Sequence, residues 1–367
     1  MFRYLFLGVL LVHGLIHFLG LIKSLEIVRI QLLSQAIPLP EGVMWLLAGL
    51  LHFAAGFLYA LRRKSWPYLA FPGIVLSQIM IISAWPDAKY GTLANVLIGL
   101  VAVAGLAQWR FERSFRADVR QNLSRAQAPE GDVLTEADLA PLPAPVQRYL
   151  RYCGAVGQPR LHHMRVTFDG QMRSKEQDWF SFRSVQYNFF DEPARLFFMK
   201  ARVKRLPTLG YHRYQGDRAG MQVKLFGLFP VVDIGGKELF KTETVTFLND
   251  LCILAPGALV DERIRWEAVD DATARATFTN QGTTVEATLA FAPDGRLLNF
   301  ISDDRGALTD GQLEYHRFST PLSDYREFGP YRLAAVGEAV WHYPDGPFSY
   351  GVFHLKDIAY NVGTDAH

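Results

Sequence analysis

Cysteine is almost missing from this chain, with only Cys153 and Cys252 among 367 residues. Two thiols cannot by themselves make a disulfide scaffold or a thiolate zinc site. Two buried free thiols are expected, with one disulfide between them as the lesser alternative. Charge is scarce in the first 109 residues, which carry only Arg3, Lys23, Glu26, Arg29, Glu41, Arg62, Arg63, Lys64, Asp87 and Lys89. A single water-soluble domain is thereby excluded. A basic excess is missing from the rest: residues 110–367 hold 31 basic and 33 acidic side chains, and Arg110–Arg125 contains five of the arginines. Nucleic acid therefore has no electrostatic footprint. Also absent are a Gly-x-Ser-x-Gly elbow, a phosphate loop, a dinucleotide fingerprint, His-Glu-x-x-His and paired-cysteine metal spacing. No residue takes a catalytic assignment, and the reading leans away from an enzyme.

What the first 109 residues do have is four apolar stretches, Tyr4–Ile22, Val43–Leu61, Trp66–Trp85 and Thr92–Trp109, each close to the roughly 20 residues that cross a bilayer. The first is too long for a signal peptide and has no small-x-small cleavage site before Lys23, so it reads as a retained helix. Trp45, Trp66, Trp85 and Trp109 fall at span ends, where indole favours the headgroup layer. With the amino terminus inside, the inner segments carry nine Lys and Arg against Lys23, Arg29 and Lys89 outside. The positive-inside rule then places both termini and the soluble part in the cytoplasm.

Polar residues inside these spans are costly without partners. His13 and His52 are the midpoints of two antiparallel neighbours and lie at one depth; His17 is one turn from His13 on the same face. Ser77, Gln78 and Asn95 fall in the same layer. His13, His17 and His52 are the candidates for a metal, haem, quinone or proton site, with a His13–His52 pair able to ligate a haem. The alternative is a hydrogen-bonded layer that fixes helix register. Pro72-Gly73 permits a kink beside it.

Arg110–Arg125 reads as a basic stem that anchors on anionic headgroups, and Ala126–Gly131 as a hinge. A short helix at about 145–153 follows. From Leu161 the pattern is mostly β, with strands expected near 162–172, 178–189, 195–203, 210–216, 221–226, 264–269, 273–279, 283–291, 296–302, 312–319, 322–328, 331–342 and 348–360. Tight turns such as Gln281-Gly282 and Asp294-Gly295 make the pairing antiparallel. One helix, Glu238–Leu254, shows a stripe of Phe240, Phe247, Leu248, Leu251 and Cys252. The fold class is thus a membrane α-helical segment of four transmembrane helices (1–109), a basic stem and linker (110–135), and an α+β soluble domain (136–367). The soluble domain is a long curled antiparallel sheet, an incomplete β-barrel with one or two helices.

Several segments carry a resemblance: Leu142-Pro-Ala-Pro-Val-Gln-Arg-Tyr-Leu-Arg151, Lys224-Leu-Phe-Gly-Leu-Phe-Pro-Val-Val-Asp233, Ile264-Arg-Trp-Glu267, Pro321-Leu-Ser-Asp-Tyr-Arg-Glu-Phe328 and Gly337-Glu-Ala-Val-Trp-His342, with His13-Gly-Leu-Ile-His17 and Asp87-Ala-Lys-Tyr-Gly91. With these the chain resembles an uncharacterised bacterial family that joins a four-helix membrane segment to a domain of unknown function. Ser323–Phe328 and the strand after it are more distantly similar to the last hairpins of lipoprotein-carrier proteins. That likeness implies an incomplete antiparallel barrel whose helices lid an apolar, acyl-chain-binding cavity. Here Gly329-Pro330-Tyr331 replaces the carriers' Gly-apolar-Pro, and a fold can be shared without its function.

Other polar groups read as structural. Asp324 and Arg326 share a strand face and pair; Trp341-His342, His354 and His162-His163 read as satisfied histidines at strand positions; Asp303-Asp304-Arg305 reads as a strand end. The nearly unbroken apolar run Leu225–Val232 is either a buried core strand or a groove wall or membrane-facing lip. An apolar ligand groove is expected from Phe226, Phe229, Val231, Phe240, Phe247, Trp266 and Trp341. The leading expectation is a non-enzymatic inner-membrane protein whose β-domain holds a lipid or other apolar ligand. The alternatives are a membrane redox, cofactor or proton-path protein centred on the histidines, and a tethered scaffold without a ligand.

Overall fold

A computed structural model describes residues 2–27, 34–126, 131–175, 177–309 and 311–363. The chain forms two compact units, residues 1–111 with 226–228, and residues 112–225 with 229–367.

The first unit is helical: α1 (Phe2–Ser24), α2 (Leu39–Ala60), α3 (Pro67–Ser83), the single turn α4 (Trp85–Ala88) and the beginning of α5 (Gly91–Leu123). By length and composition α1, α2 and α5 are able to cross a membrane, whereas α3 has 17 residues and is shorter than that. The third expected span ends early because Pro86 has no N–H to donate and its ring would clash with the Ile82 carbonyl if the helix ran on; it is instead tolerated in the first turn of α4. Ala84 leaves helical geometry there, at φ −111° and ψ 36°.

α5 runs unbroken for 33 residues from the apolar stretch through the basic stem. The stem is more than a lipid anchor. Phe115, Val119 and Leu123, one turn apart, are buried, and Phe115 stacks on Phe198 with ring centroids 5.2 Å apart. Lys200 Nζ donates to Glu112 at 2.8 Å, Tyr211 Oη to Asp118 at 2.7 Å and Gln215 Nε2 to Asn122 at 3.2 Å. One face of the stem is thus a docked element of the β-domain, and only the opposite face keeps its arginines in solvent.

Two short helices, α6 (Glu136–Leu139) and α7 (Ala144–Tyr152), precede the strands β1 (His163–Met172), β2 (Phe180–Phe189), β3 (Ala194–Val203), β4 (Leu206–Gln215), β5 (Arg218–Leu225) and β6 (Phe229–Gly235). Then come α8 (Lys237–Leu254), β7 (Ile264–Asp270), β8 (Thr273–Asn280), β9 (Thr283–Phe291), β10 (Leu297–Ser302), β11 (Gly306–Thr309), β12 (Gln312–Tyr315), β13 (Arg317–Phe328), β14 (Tyr331–Tyr343) and β15 (Gly346–Tyr360). Thirteen strands form one antiparallel sheet in the order β6-β5-β4-β3-β2-β1-β15-β14-β13-β10-β9-β8-β7, and β11 pairs with β12 apart from it. β6 and β7 are edges, so the sheet does not close. The stretch read as two strands, 312–319 and 322–328, divides differently: β12 leaves for the small hairpin, and β13 is a continuous 12-residue strand.

α8 fills the sheet. It is buried on nearly every side, including Thr242, Glu243, Thr244, Asn249 and Asp250, so its single apolar stripe understates its burial. Phe247 stacks on Phe278 at 5.7 Å and packs against Tyr214 at 5.8 Å. Tyr149 Oη of α7 donates to the Cys252 carbonyl at 2.7 Å. Cys153 and Cys252 are free and fully buried, and burial pushes the Cys153 thiol up to about 12.

Candidate functional site

The helical unit brings its three histidines together. Ring centroids are 4.7 Å apart for His13–His17, 4.9 Å for His13–His52 and 5.6 Å for His17–His52. Glycine makes this approach possible. An added Cβ on Gly49 would lie 2.8 Å from the Gly14 carbonyl oxygen, and one on Gly14 would lie 3.2 Å from the Gly49 oxygen. α1 and α2 therefore cross backbone to backbone, as small residues allow in membrane helices. On α3, Gly73 sits beside the His52 ring, where a Cβ would be 3.3 Å from Cε1.

Hydrogen bonding sets the tautomers. A carbonyl only accepts, so His17 Nδ1 carries the proton donated to the His13 carbonyl at 2.8 Å, and His52 Nδ1 the one donated to Ala48 at 2.8 Å. Their Nε2 atoms are then lone-pair acceptors. Ser77 Oγ donates to His17 Nε2 at 2.8 Å, while His13 Nε2 donates to Asn95 Oδ1 at 2.9 Å. Asn95 Nδ2 in turn donates to Ser77 and Gln78. All four long helices thus supply the polar layer. His13 and His52 lie edge to face at 4.9 Å, too close in this arrangement for a porphyrin plane between them. Among the described residues no three His, Cys, Asp or Glu side chains are placed to hold a metal ion.

A cavity of about 290 Å³ opens beside this layer, lined by His13, His17, Trp45, Ile81, Tyr90 and Gly91 among others. Trp45 is 4% exposed, and its Nε1–H has no hydrogen-bond partner. A buried unsatisfied donor costs about 1–3 kcal/mol, which a hydrogen-bond acceptor reaching it would relieve. At the rim Asp87 accepts from the Ser34 backbone N–H at 2.6 Å and hydroxyl at 2.8 Å, which gives the Asp87–Gly91 motif a structural task.

The seven apolar candidates do not meet in one groove. Phe226 lies in the β5–β6 turn, and Phe229 and Val231 on β6 are 61% and 60% exposed. The apolar run is therefore an exposed edge hairpin rather than a buried core strand. Phe240 and Phe247 lie in the core beneath the sheet. Trp266 is half-buried and donates Nε1–H to Leu259 at 3.1 Å. Trp341 packs with Phe318 and Ala339 in a separate small core.

Sequence reasoning missed a buried polar group on α8. Arg195 Nε donates to Asp250 at 2.7 Å and Nη1 to Glu243 at 3.3 Å, with Gln186 and Asn188 also donating to Asp250. Burial raises the Glu243 carboxyl, but the His212 hydrogen bond and the Arg195 charge outweigh it and hold the group down to about 2. Beside the group is a cavity of only about 90 Å³, lined by Arg195, Asn249, Asp250, Arg305, Phe318 and Phe353 among others. Pairing of Asp324 with Arg326 is as read from the strand, and Asp303 and Asp304 pair with Arg317 and Lys241.

Residues 132–353 match a family of unknown function, DUF6544. This chain belongs to that family. No curated protein matches this DUF6544 chain. Among solved structures it is similar to a LolA superfamily protein from Nitrosomonas europaea, at 11% identity and a TM-score of 0.33, over 59% of this chain and 93% of that one. It is also similar to a beta-barrel-like protein of domain of unknown function DUF1849 from Brucella abortus, at 9% identity and a TM-score of 0.17, over 55% of this chain and 98% of that one. At such TM-scores these neighbours add nothing to a functional argument.

Proposed function

We propose that this DUF6544 protein is a multi-pass bacterial inner-membrane protein, spanning four times, that binds an amphipathic, mostly apolar ligand in its helical unit. Its β-domain and both termini face the cytoplasm on this reading. The ligand class is an apolar body bearing a hydrogen-bond-accepting oxygen, such as a carbonyl, ester or carboxyl. The observation that carries the reading is a cavity lined by His13, His17 and Trp45 together with the buried, unpartnered Nε1–H of that tryptophan.

Size favours this site over the enclosed cavity inside the sheet. About 30 Å³ is one water's share of liquid volume. The 90 Å³ inside the sheet is therefore small beside the roughly 300–1,000 Å³ of ligand pockets, whereas the helical cavity is near the lower end of that range. It suits a headgroup and a short apolar stretch, with a longer tail left in the bilayer.

The test is extraction and mass spectrometry of the full chain purified in native-lipid nanodiscs. A stoichiometric lipid, fatty acid or isoprenoid retained by the parent chain and depleted about tenfold by Trp45→Phe is expected, the tenfold being roughly 1.4 kcal/mol for one hydrogen bond. Equal bulk lipid in parent and variant, with nothing enriched, would remove the proposal.

A further inference from the structure

The exposed apolar hairpin is not isolated; strand register places several tips at one end of the sheet. Val203 pairs with Leu206 across the β3–β4 turn, and Thr208 pairs with Leu225 next to the β5–β6 turn. Met172 pairs with Phe180 and Phe182 with Ala201, which brings the β1–β2 loop to the same end. This end exposes Trp179, Leu206, Leu228 and Phe229 beside Arg202, Lys204 and Arg205. Those three cations have no carboxylate partner among the described residues. They and Trp179 line an open groove of about 1200 Å³.

Two turns here are built against backbone preference. Lys204 and Arg205 occupy φ 49° and 69°, and Phe226 occupies φ 54°. An Asn-Gly pair meets a two-residue hairpin turn with positive φ far more easily. Positive φ on bulky or charged residues is costly, and such strain concentrates at contact sites. The stem gives the direction. Glu112, where the docked part of α5 begins, bonds to Lys200, and the later Asn122 bonds to Gln215 at the far end of β4. Within the β-domain the stem therefore begins, at Glu112, at the end that bears these tips.

We propose that this end of the β-domain is an interfacial face for an anionic phospholipid surface. Leu228, Phe229 and Trp179 enter the headgroup boundary, and Arg202, Lys204 and Arg205 bind lipid phosphates. Aromatic and aliphatic side chains flanked by cations are the chemistry that recognises such a surface. The inference is independent of the ligand in the helical unit.

The experiment uses the full chain in nanodiscs of phosphatidylcholine, with and without phosphatidylglycerol. Spin labels go on Leu228→Cys and, as a control in the β4–β5 turn at the opposite end, on Asp217→Cys; collision with oxygen and with a water-soluble nickel chelate is read. The Leu228 label is expected to favour oxygen in anionic discs, and the Asp217 label to favour nickel. Lys204→Asn with Arg205→Gly eases the turn while removing its charge, so a folding defect cannot explain its effect. It should abolish the gain that phosphatidylglycerol gives at Leu228. A Leu228 label as water-exposed as Asp217, or a phosphatidylglycerol effect untouched by the double variant, would overturn the proposal.

Discussion

Arg195 is almost wholly buried, and two carboxylates of α8, Glu243 and Asp250, compensate its charge. Replacing a whole buried ion group by apolar residues is often neutral, but removing one member strands the others without compensation, at about 3–5 kcal/mol. Arg195→Leu is therefore expected to destabilise the β-domain by that order, read as a lower urea midpoint in intrinsic fluorescence of the full chain. Acid should act through the same group. Glu243 has a folded pKa of about 2 against a usual value of 4.5; its stabilisation is present above pH 4.5 and disappears as pH falls toward 2. His163 starts earlier. Burial lowers its pKa below 6.5, so some stability is lost as pH drops under 6.5. The expected urea-midpoint profile has a shallow decline followed by a steeper acid limb, and Glu243→Gln should flatten only the second. An unchanged acid limb in that variant would count against the linkage.

At the scale of elements, what could be read from sequence tracks how local the controlling physics is. Apolar runs and helix period located α1, α2 and α5 within a few residues, and His13 and His52 were expected at one depth because antiparallel helices share a rise per residue. Period-two patterns and turn pairs likewise located most strands. Three features depended on distant partners. The run at 225–232 has no local mark that separates a core strand from an exposed edge hairpin. The stem's arginines looked like a lipid anchor because its buried face contacts strands about 90 residues away. The burial of the polar side of α8 has no local mark, because Arg195, its partner, lies on β3. Trp45, read as a belt residue at a span end, gave no sign of the cavity. Gly14 and Gly49 also went unread, although the α1–α2 crossing depends on both. Gly49→Leu is expected to force those helices apart, cost about 1–3 kcal/mol as an overpacking change, and abolish retention of any ligand. A thermal melt in detergent and the same mass-spectrometric assay check this; wild-type retention would show that the crossing does not shape the cavity.

For the molecule as a whole, orientation is the quantity from which other properties follow. Nine Lys and Arg on the proposed inner segments against three outside set a direction, but it depends on α3 crossing with only 17 residues. At 1.5 Å per residue that is about 25 Å, against a hydrocarbon thickness of about 30 Å. Local thinning or snorkelling flanks cover such a shortfall at a fraction of a kcal/mol per Å. With the amino terminus inside, a crossing α3 puts the α3–α5 connection at Lys89 outside and leaves the β-domain inside, α5 separating the two. If α3 does not cross, the charge bias and the placement of the termini come apart. Both native thiols are fully buried, so an engineered cysteine dominates labelling in the native protein. In intact cells with a permeabilised outer membrane, an impermeant maleimide should label Lys89→Cys and leave Asp217→Cys untouched, and inverted vesicles should reverse the pattern. The reverse pattern in intact cells, Asp217→Cys labelled and Lys89→Cys protected, would mean that α3 is a re-entrant or interfacial helix. The cavity beside His13 and His17 would then open to a different compartment from the one the charge rule assigns.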